Sequence, residues 1–204
     1  MPSPIGDFTY IWQFWAAATF GYLLGSIPFG LVLTRLAGLG DVRDIGSGSI
    51  GATNVLRTGN KSIAALTLVL DGGKGAAAVF LGAMDGSDTA VLAGGGAFIG
   101  HLFPIWLKFR GGKGVATFIG VMLVANWPAG LLCCLTWLAM AALFRYSSLA
   151  SLTAALAGPV YAYWFGNWQI MELAAFMTVL VFARHHQNIR RFLTGAEPKI
   201  GAKK

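Results

Sequence analysis

The chain has 204 residues, of which 56 % are hydrophobic and 11 % charged, and its formal net charge is +7. That charged share is less than half of what a soluble protein usually carries, and apolar runs divided by short polar connections fill nearly the whole length. The pattern excludes a soluble core with a water-facing shell and leaves no separate soluble domain, so the chain reads as a single integral membrane domain over 1–204.

Met1 to Thr9 holds no Lys or Arg, and the apolar run behind it has no convincing cleavage site, so no removable signal peptide is expected. Apolar continuity then places spans at about 10–35, 62–83, 90–107, 114–125, 129–144, 147–165 and 169–184. The expected fold is an all-α seven-helix transmembrane bundle. Several spans fall short of the ~20 residues a perpendicular helix needs, which predicts short or broken helices. Cys133 and Cys134 adjoin inside the fifth span, a placement that fits apolar fillers better than a disulfide framework or a thiolate metal site.

Basic residues near helix ends stay on the cytoplasmic side. With the N-terminus outside and the C-terminus cytoplasmic, every Lys and Arg except Lys74 falls in or beside the connections 36–61 and 108–113, the Arg145 turn and the tail from His185. The outer connections hold no basic residue, while Asp7, Asp85 and Asp88 fall there. The positive charge is thus concentrated on one face, where it would attract anionic head groups or a soluble anionic substrate; no nucleic-acid partner is expected.

Three stretches on that face carry chemistry. In "RDIGSGSIGATNVLR" (43–57), Gly46, Gly48 and Gly51 satisfy G-x-G-x-x-G, yet a dinucleotide site needs a strand and a helix where membrane spans flank these glycines. The glycines still let backbone N–H groups approach an anion, with Ser47, Ser49, Thr53 and Asn54 as further donors and Arg57 as charge; the alternative is a flexible loop. In "GHLFPIWLKFRGGKGVATF" (100–118), Gly111, Gly112, Lys113 and Gly114 lead into a helix, where N–H groups and the helix dipole favour phosphate. The Walker pattern is absent, and the positive-inside rule alone accounts for Lys108 and Arg110. In "RHHQNIRRF" (184–192), His185 and Asn188 share a face on a continuing helix. Between them, "LDGGKGAA" (70–77) puts Asp71 and Lys74 at membrane depth, where they should pair with each other and face inward.

These segments, together with "GSIPFG" (25–30) and "DGGKG" (71–75), resemble the bacterial acyl-phosphate-dependent glycerol-3-phosphate acyltransferases, the PlsY family, in order and over essentially the whole chain. The resemblance implies a seven-helix bundle with its active site at the cytoplasmic face of the inner membrane. It implies transfer of a fatty acyl group from acyl phosphate to the 1-hydroxyl of sn-glycerol 3-phosphate, giving lysophosphatidate and phosphate, the first committed step of phospholipid synthesis. It marks Ser47, Thr53, Asn54, Arg57, Lys113, His185 and Asn188 as catalytic. Gly46, Gly48, Arg57, Gly111, Gly112, Lys113 and Gly114 are then expected to bind substrate phosphate, with Ser26, Asp71, Lys74 and His101 as supporting positions. Gln187 stands where many members carry an acid. No cofactor and no metal is expected, since the few acids are dispersed; membrane lipid and a peripheral acyl-phosphate-producing enzyme are the implied partners. Either His185 or a phosphate oxygen of the donor takes the proton from the hydroxyl, the phosphate being preferred on chemical grounds.

Two rivals are weaker. A transporter for a phosphorylated solute should spread polar groups across the full membrane depth, whereas here they collect at one face. A CDP-alcohol phosphotransferase is suggested by Asp71-Gly72 with Asp85 and Asp88, but the Ala-Arg it requires is missing and the last two acids face the other side. No His has an Asp at the H-x-x-x-x-D acyltransferase spacing.

Overall fold

The computed structural model describes residues 8–201, with side chains from Ile11 onward. The readings for Met1 to Asp7 and for Lys203 and Lys204 lie outside the described residues. The described residues form ten α-helices: α1 Phe8–Gly25, α2 Phe29–Leu36, α3 Ala52–Val55, α4 Lys61–Gly82, α5 Ser87–Leu102, α6 Val115–Ala125, α7 Trp127–Phe144, α8 Ser147–Trp164, α9 Trp168–Arg184 and α10 His186–Leu193. No strand occurs among the described residues.

Helices occupy all seven predicted segments, but the first is broken in two. Pro28 has no N–H to continue the helix and restricts the residue before it. Ser26 Oγ donates to the Tyr22 carbonyl at 2.7 Å, closing α1, and α2 starts after Pro28. Among the described residues four segments are long and apolar enough to cross a membrane: Ile11–Leu36, Lys61–Gly82, Ser87–Leu107 and Trp127–Phe144. Large apolar side chains such as Leu138, Leu143, Val160 and Val179 point outward from the bundle. A surface of that kind is suited to lipid, where each backbone polar group must be satisfied inside its own helix.

Small residues set the packing, as expected where lipid-like side chains offer no net gain between helices. Gly21 and Gly25 of α1 lie against the carbonyls of Ala93 and Ala97, and Gly96 and Gly100 of α5 lie against Ala18 and Tyr22; a Cβ at any of the four would collide with backbone. Gly120 of α6 meets Gly72 of α4 in the same way. Phe98, Phe118, Met122 and Met177 fill the centre among α5, α6 and α9.

The two ends of the bundle differ. At one end the turns at 83–86, 126 and 165–167 are short, Asn126 and Asn167 cap α7 and α9 through their side chains, and Trp127, Trp164 and Trp168 are exposed, as at a membrane–water interface. The other end carries the long connections 37–60 and 103–114, the α7–α8 turn and the segment after α9, and so gathers all three motifs.

Candidate active site

The first motif is a folded loop, not a linker. Asp41 caps the short turn Val42–Asp44, accepting from the Arg43 N–H at 3.0 Å and from the Arg43 and Arg35 guanidinium groups at 2.6 and 2.8 Å. These bonds, the Arg43 side chain foremost, hold the Asp41 carboxyl well below the usual carboxylate range. Further on, the chain wraps round the buried amide of Asn54. Its Nδ2 donates to the carbonyls of Val42, Ile45 and Ser49 at 2.7, 3.1 and 2.8 Å, and its Oδ1 accepts from the Ser47 N–H at 3.1 Å. Val42, Ile50 and Val55 pack beneath with Leu31 and Ala64. Gly46 has φ +55°, and a Cβ there would come within 2.6 Å of Arg57 Nη1, so the arginine lies directly over the glycine. Ser47, Thr53 and Arg57 are exposed, and the Thr53 hydroxyl is 3.2 Å from that of Ser147 on α8.

The second motif folds back on the end of α5. The Gly111 and Gly112 N–H groups donate to the carbonyls of Leu102 and His101 at 3.1 and 3.0 Å, so neither is free for an anion. Their own carbonyls accept from Arg184 Nη2 and Nε at 2.9 and 3.2 Å, and that guanidinium stacks on Phe103 at 5.5 Å. Gly114, at φ +82°, is the N-cap of α6. Lys113 therefore immediately precedes the N-cap of the helix.

Lys113 Nζ donates to Asn188 Oδ1 at 2.6 Å, joining the second motif to the third. Asn188 Nδ2 in turn donates to Glu197 Oε1 at 2.6 Å, and Arg191 Nε donates to Glu197 Oε2 at 2.7 Å. His185, at the joint between α9 and α10, has Nδ1 2.8 Å from the Val181 carbonyl. A carbonyl only accepts, so Nδ1 carries the proton and Nε2 of the neutral ring keeps its lone pair. Burial first, then the Lys113 charge, push the His185 pKa down to about 4. Burial also pulls Lys113 down to about 8; the charges of Arg191, Arg57 and Arg184 act the same way, and Glu197 opposes them. Glu197 is raised by burial, but hydrogen bonds from Asn188 and Arg191 outweigh this and leave its carboxyl below the ordinary range.

Of the predicted residues, Arg57, Lys113, His185 and Asn188 come together, with Ser47 on the adjoining loop. Asn54 is buried under that loop with its amide engaged. Ser26 bonds to its own helix. Asp71, Lys74 and His101 form a separate buried group below. Sequence reasoning missed two residues. Glu197 had one available signal, as the sole acid in the basic segment after Glu172. Arg184 counts in the sequence among the flank charges, and nothing local marks it as the clamp on Gly111 and Gly112.

Residues 15–195 match the family model described as glycerol-3-phosphate acyltransferase. The chain is 61 % identical over 187 residues to a glycerol-3-phosphate acyltransferase of Mesorhizobium japonicum, covering 92 % of this chain and 96 % of that one. It is 61 % identical over 188 residues to one of Caulobacter vibrioides, covering 90 % and 86 %. Among solved structures it is similar to PlsY, an integral membrane glycerol 3-phosphate acyltransferase. The glycerol 3-phosphate form gives a TM-score of 0.87 at 36 % identity, over 92 % of this chain and 96 % of that one. The lysophosphatidic acid form gives 0.85 at 35 %, over 92 % and 95 %.

Proposed function

The chain belongs to the glycerol-3-phosphate acyltransferase family, and from that premise we propose that its three motifs form one active site at the cytoplasmic face of a bacterial inner membrane. The protein is a membrane acyltransferase that converts glycerol 3-phosphate to lysophosphatidate. The donor in this reading is acyl phosphate, supplied by a peripheral enzyme, and the whole of 1–204 is one seven-span domain with its N-terminus outside.

The observation that carries the reading is the hydrogen-bonded row Lys113–Asn188–Glu197–Arg191, with the charge of Arg57 close by. Segments far apart in sequence supply one half-dry cationic site, suited to phosphate. A cavity of about 310 Å³ opens beside Asn188 between α8 and α10, walled by Leu152, Leu156, Ile189 and Phe192. It is the place for the acyl chain next to the reacting carbonyl. The 1-hydroxyl oxygen attacks that carbonyl, the C–O bond to phosphate breaks, and inorganic phosphate leaves. Lys113 and Arg57 hold phosphate oxygens, while Ser47 and Asn188 orient the reacting groups. With a pKa near 4, His185 is a weak base at neutral pH, so the hydroxyl proton passes to a phosphate oxygen of the donor. His185 Nε2 then serves as a hydrogen-bond acceptor that orients the hydroxyl.

The test is phosphate release by purified protein in lipidic mesophase given acyl phosphate and glycerol 3-phosphate. Turnover with acyl phosphate and none with acyl-CoA is expected; comparable rates with acyl-CoA would overturn the donor assignment. Orientation is tested with Cys133 and Cys134 replaced. Ser87→Cys and Asn167→Cys should react with an impermeant thiol reagent outside intact cells, while labelling of Ser49→Cys or Gly195→Cys would contradict it.

A further inference from the structure

Beneath the active-site loops lies a second ionic group that the proposed reaction leaves unused. Asp71 and Lys74 of α4 and His101 of α5 are all buried. Lys74 Nζ is 3.0 Å from Asp71 Oδ1 and donates to the Ile27 carbonyl at 2.7 Å. His101 Nδ1 faces the same carboxylate oxygen at 3.6 Å, beyond hydrogen-bond length, and neither atom makes a hydrogen bond among the described residues. Apolar side chains of similar volume often stabilise a protein as well as a buried ionic group does or better. Ionisable residues at membrane depth therefore call for a role that apolar packing would not fill.

The other edge of the imidazole meets the second motif. Gly112 lies so close that a Cβ there would collide with His101 Nε2, and the Gly112 N–H donates to the His101 carbonyl. Lys113 is the next residue along. Thr117 Oγ1 of α6 donates to the Asp71 carbonyl at 2.9 Å, so the same turn of α4 holds the helix that follows the loop.

We propose that Asp71 and His101 are a positioning pair for Lys113, acting through Gly112. The carboxylate faces the Nδ1 edge of the imidazole and attracts it by charge, and the ring, packed against Gly112, sets the height of the loop that presents the ammonium. Lys74 balances the carboxylate charge and, through Ile27, ties the pair to the break between α1 and α2. The inference rests on the acyltransferase reading above.

The experiment begins with parent enzyme, whose failure to release phosphate would sink the reaction assigned to the site and not this inference. In active parent, Asp71→Asn should lower kcat/KM roughly 10–100-fold, the usual effect of removing a group that orients a functional side chain, with the thermal midpoint near the parent's. Gly112→Ala drives the loop off the imidazole and should lower kcat/KM roughly 100-fold, as for a displaced catalytic group. His101→Asn keeps an amide toward Asp71 and empties the space at Nε2. Added to Gly112→Ala it should restore at least about tenfold of the lost activity, a coupling that two independent losses would not show. Multiplying losses in the double variant, or an unimpaired Gly112→Ala enzyme, would overturn the proposal. If Asp71→Asn does not fold, the Gly112 and His101 pair decides alone.

Discussion

The loop at 41–57 is folded around a side chain, whereas the loop at 103–114 is folded on its own backbone. In the first, Asn54 gathers three carbonyls and one N–H, and glycine supplies a left-handed turn with room for Arg57. In the second, Gly111 and Gly112 pair with the end of α5, and Arg184 clamps their carbonyls from α9. The contrast separates residues that hold a loop from residues that the loop presents. Asn54 holds while Ser47, Thr53 and Arg57 are presented; the glycines hold while Lys113 is presented.

The largest effect expected from this division is on Asn54. Asn54→Ala strands several buried polar groups, each worth about 1–3 kcal/mol when left unpaired. Both stability and phosphate release should collapse together, which thermal unfolding and the release assay would record. A variant that unfolds at the parent's temperature but has lost activity would make Asn54 a presented residue and erase the contrast.

Lys113→Ala sharpens the same point from the other loop, because only a presented group is removed. A lost charge-assisted contact is worth about 1.5–3 kcal/mol, so acyl transfer should fall roughly 10–150-fold with the thermal midpoint nearly unchanged. Lys108→Ala, outside the hydrogen-bonded row, should matter much less. Lys113→Arg should stay largely inactive, since a planar guanidinium does not replace a point-like ammonium against Asn188. Similar small losses at Lys108 and Lys113 would reduce the cluster to a topology signal.

The smallest expected effect is in pH dependence. In the proposed site the working form of Lys113 is the ammonium, and its pKa is pulled to about 8. Activity should therefore fall by about tenfold between pH 7 and 9 as the proton is lost. Stability should move the other way. The unfolded chain, with an ordinary lysine pKa of 10.5, binds more protons than the folded one above pH 8. Lys113 thus weakens folding fully below about 8, and the loss is relieved as pH rises toward 10.5. Flat activity across pH 7–9, measured with saturating donor, would mean that a neutral amine suffices and that Lys113 holds no phosphate.

Much of this was legible in one dimension. Hydropathy and charge belong to single residues and add along the chain, so the helical, lipid-facing character, the basic end and the gathering of three motifs there follow from 56 % apolar content and the placement of Lys and Arg. The break at Pro28 is equally open to the sequence, since proline lacks the N–H that would continue the helix, but apolar continuity alone does not reveal it. Only the tertiary structure decided which polar groups remain free. Lys113 meets Asn188 across 75 residues and Arg184 reaches Gly112 across 72, while Glu197 turns the Asn188 amide so that its oxygen faces the lysine. A hydrogen bond is short and directional, so its partner depends on where the chain returns in space, and that return is set by the packing of α5, α6 and α9 around Phe98, Phe118, Met122 and Met177.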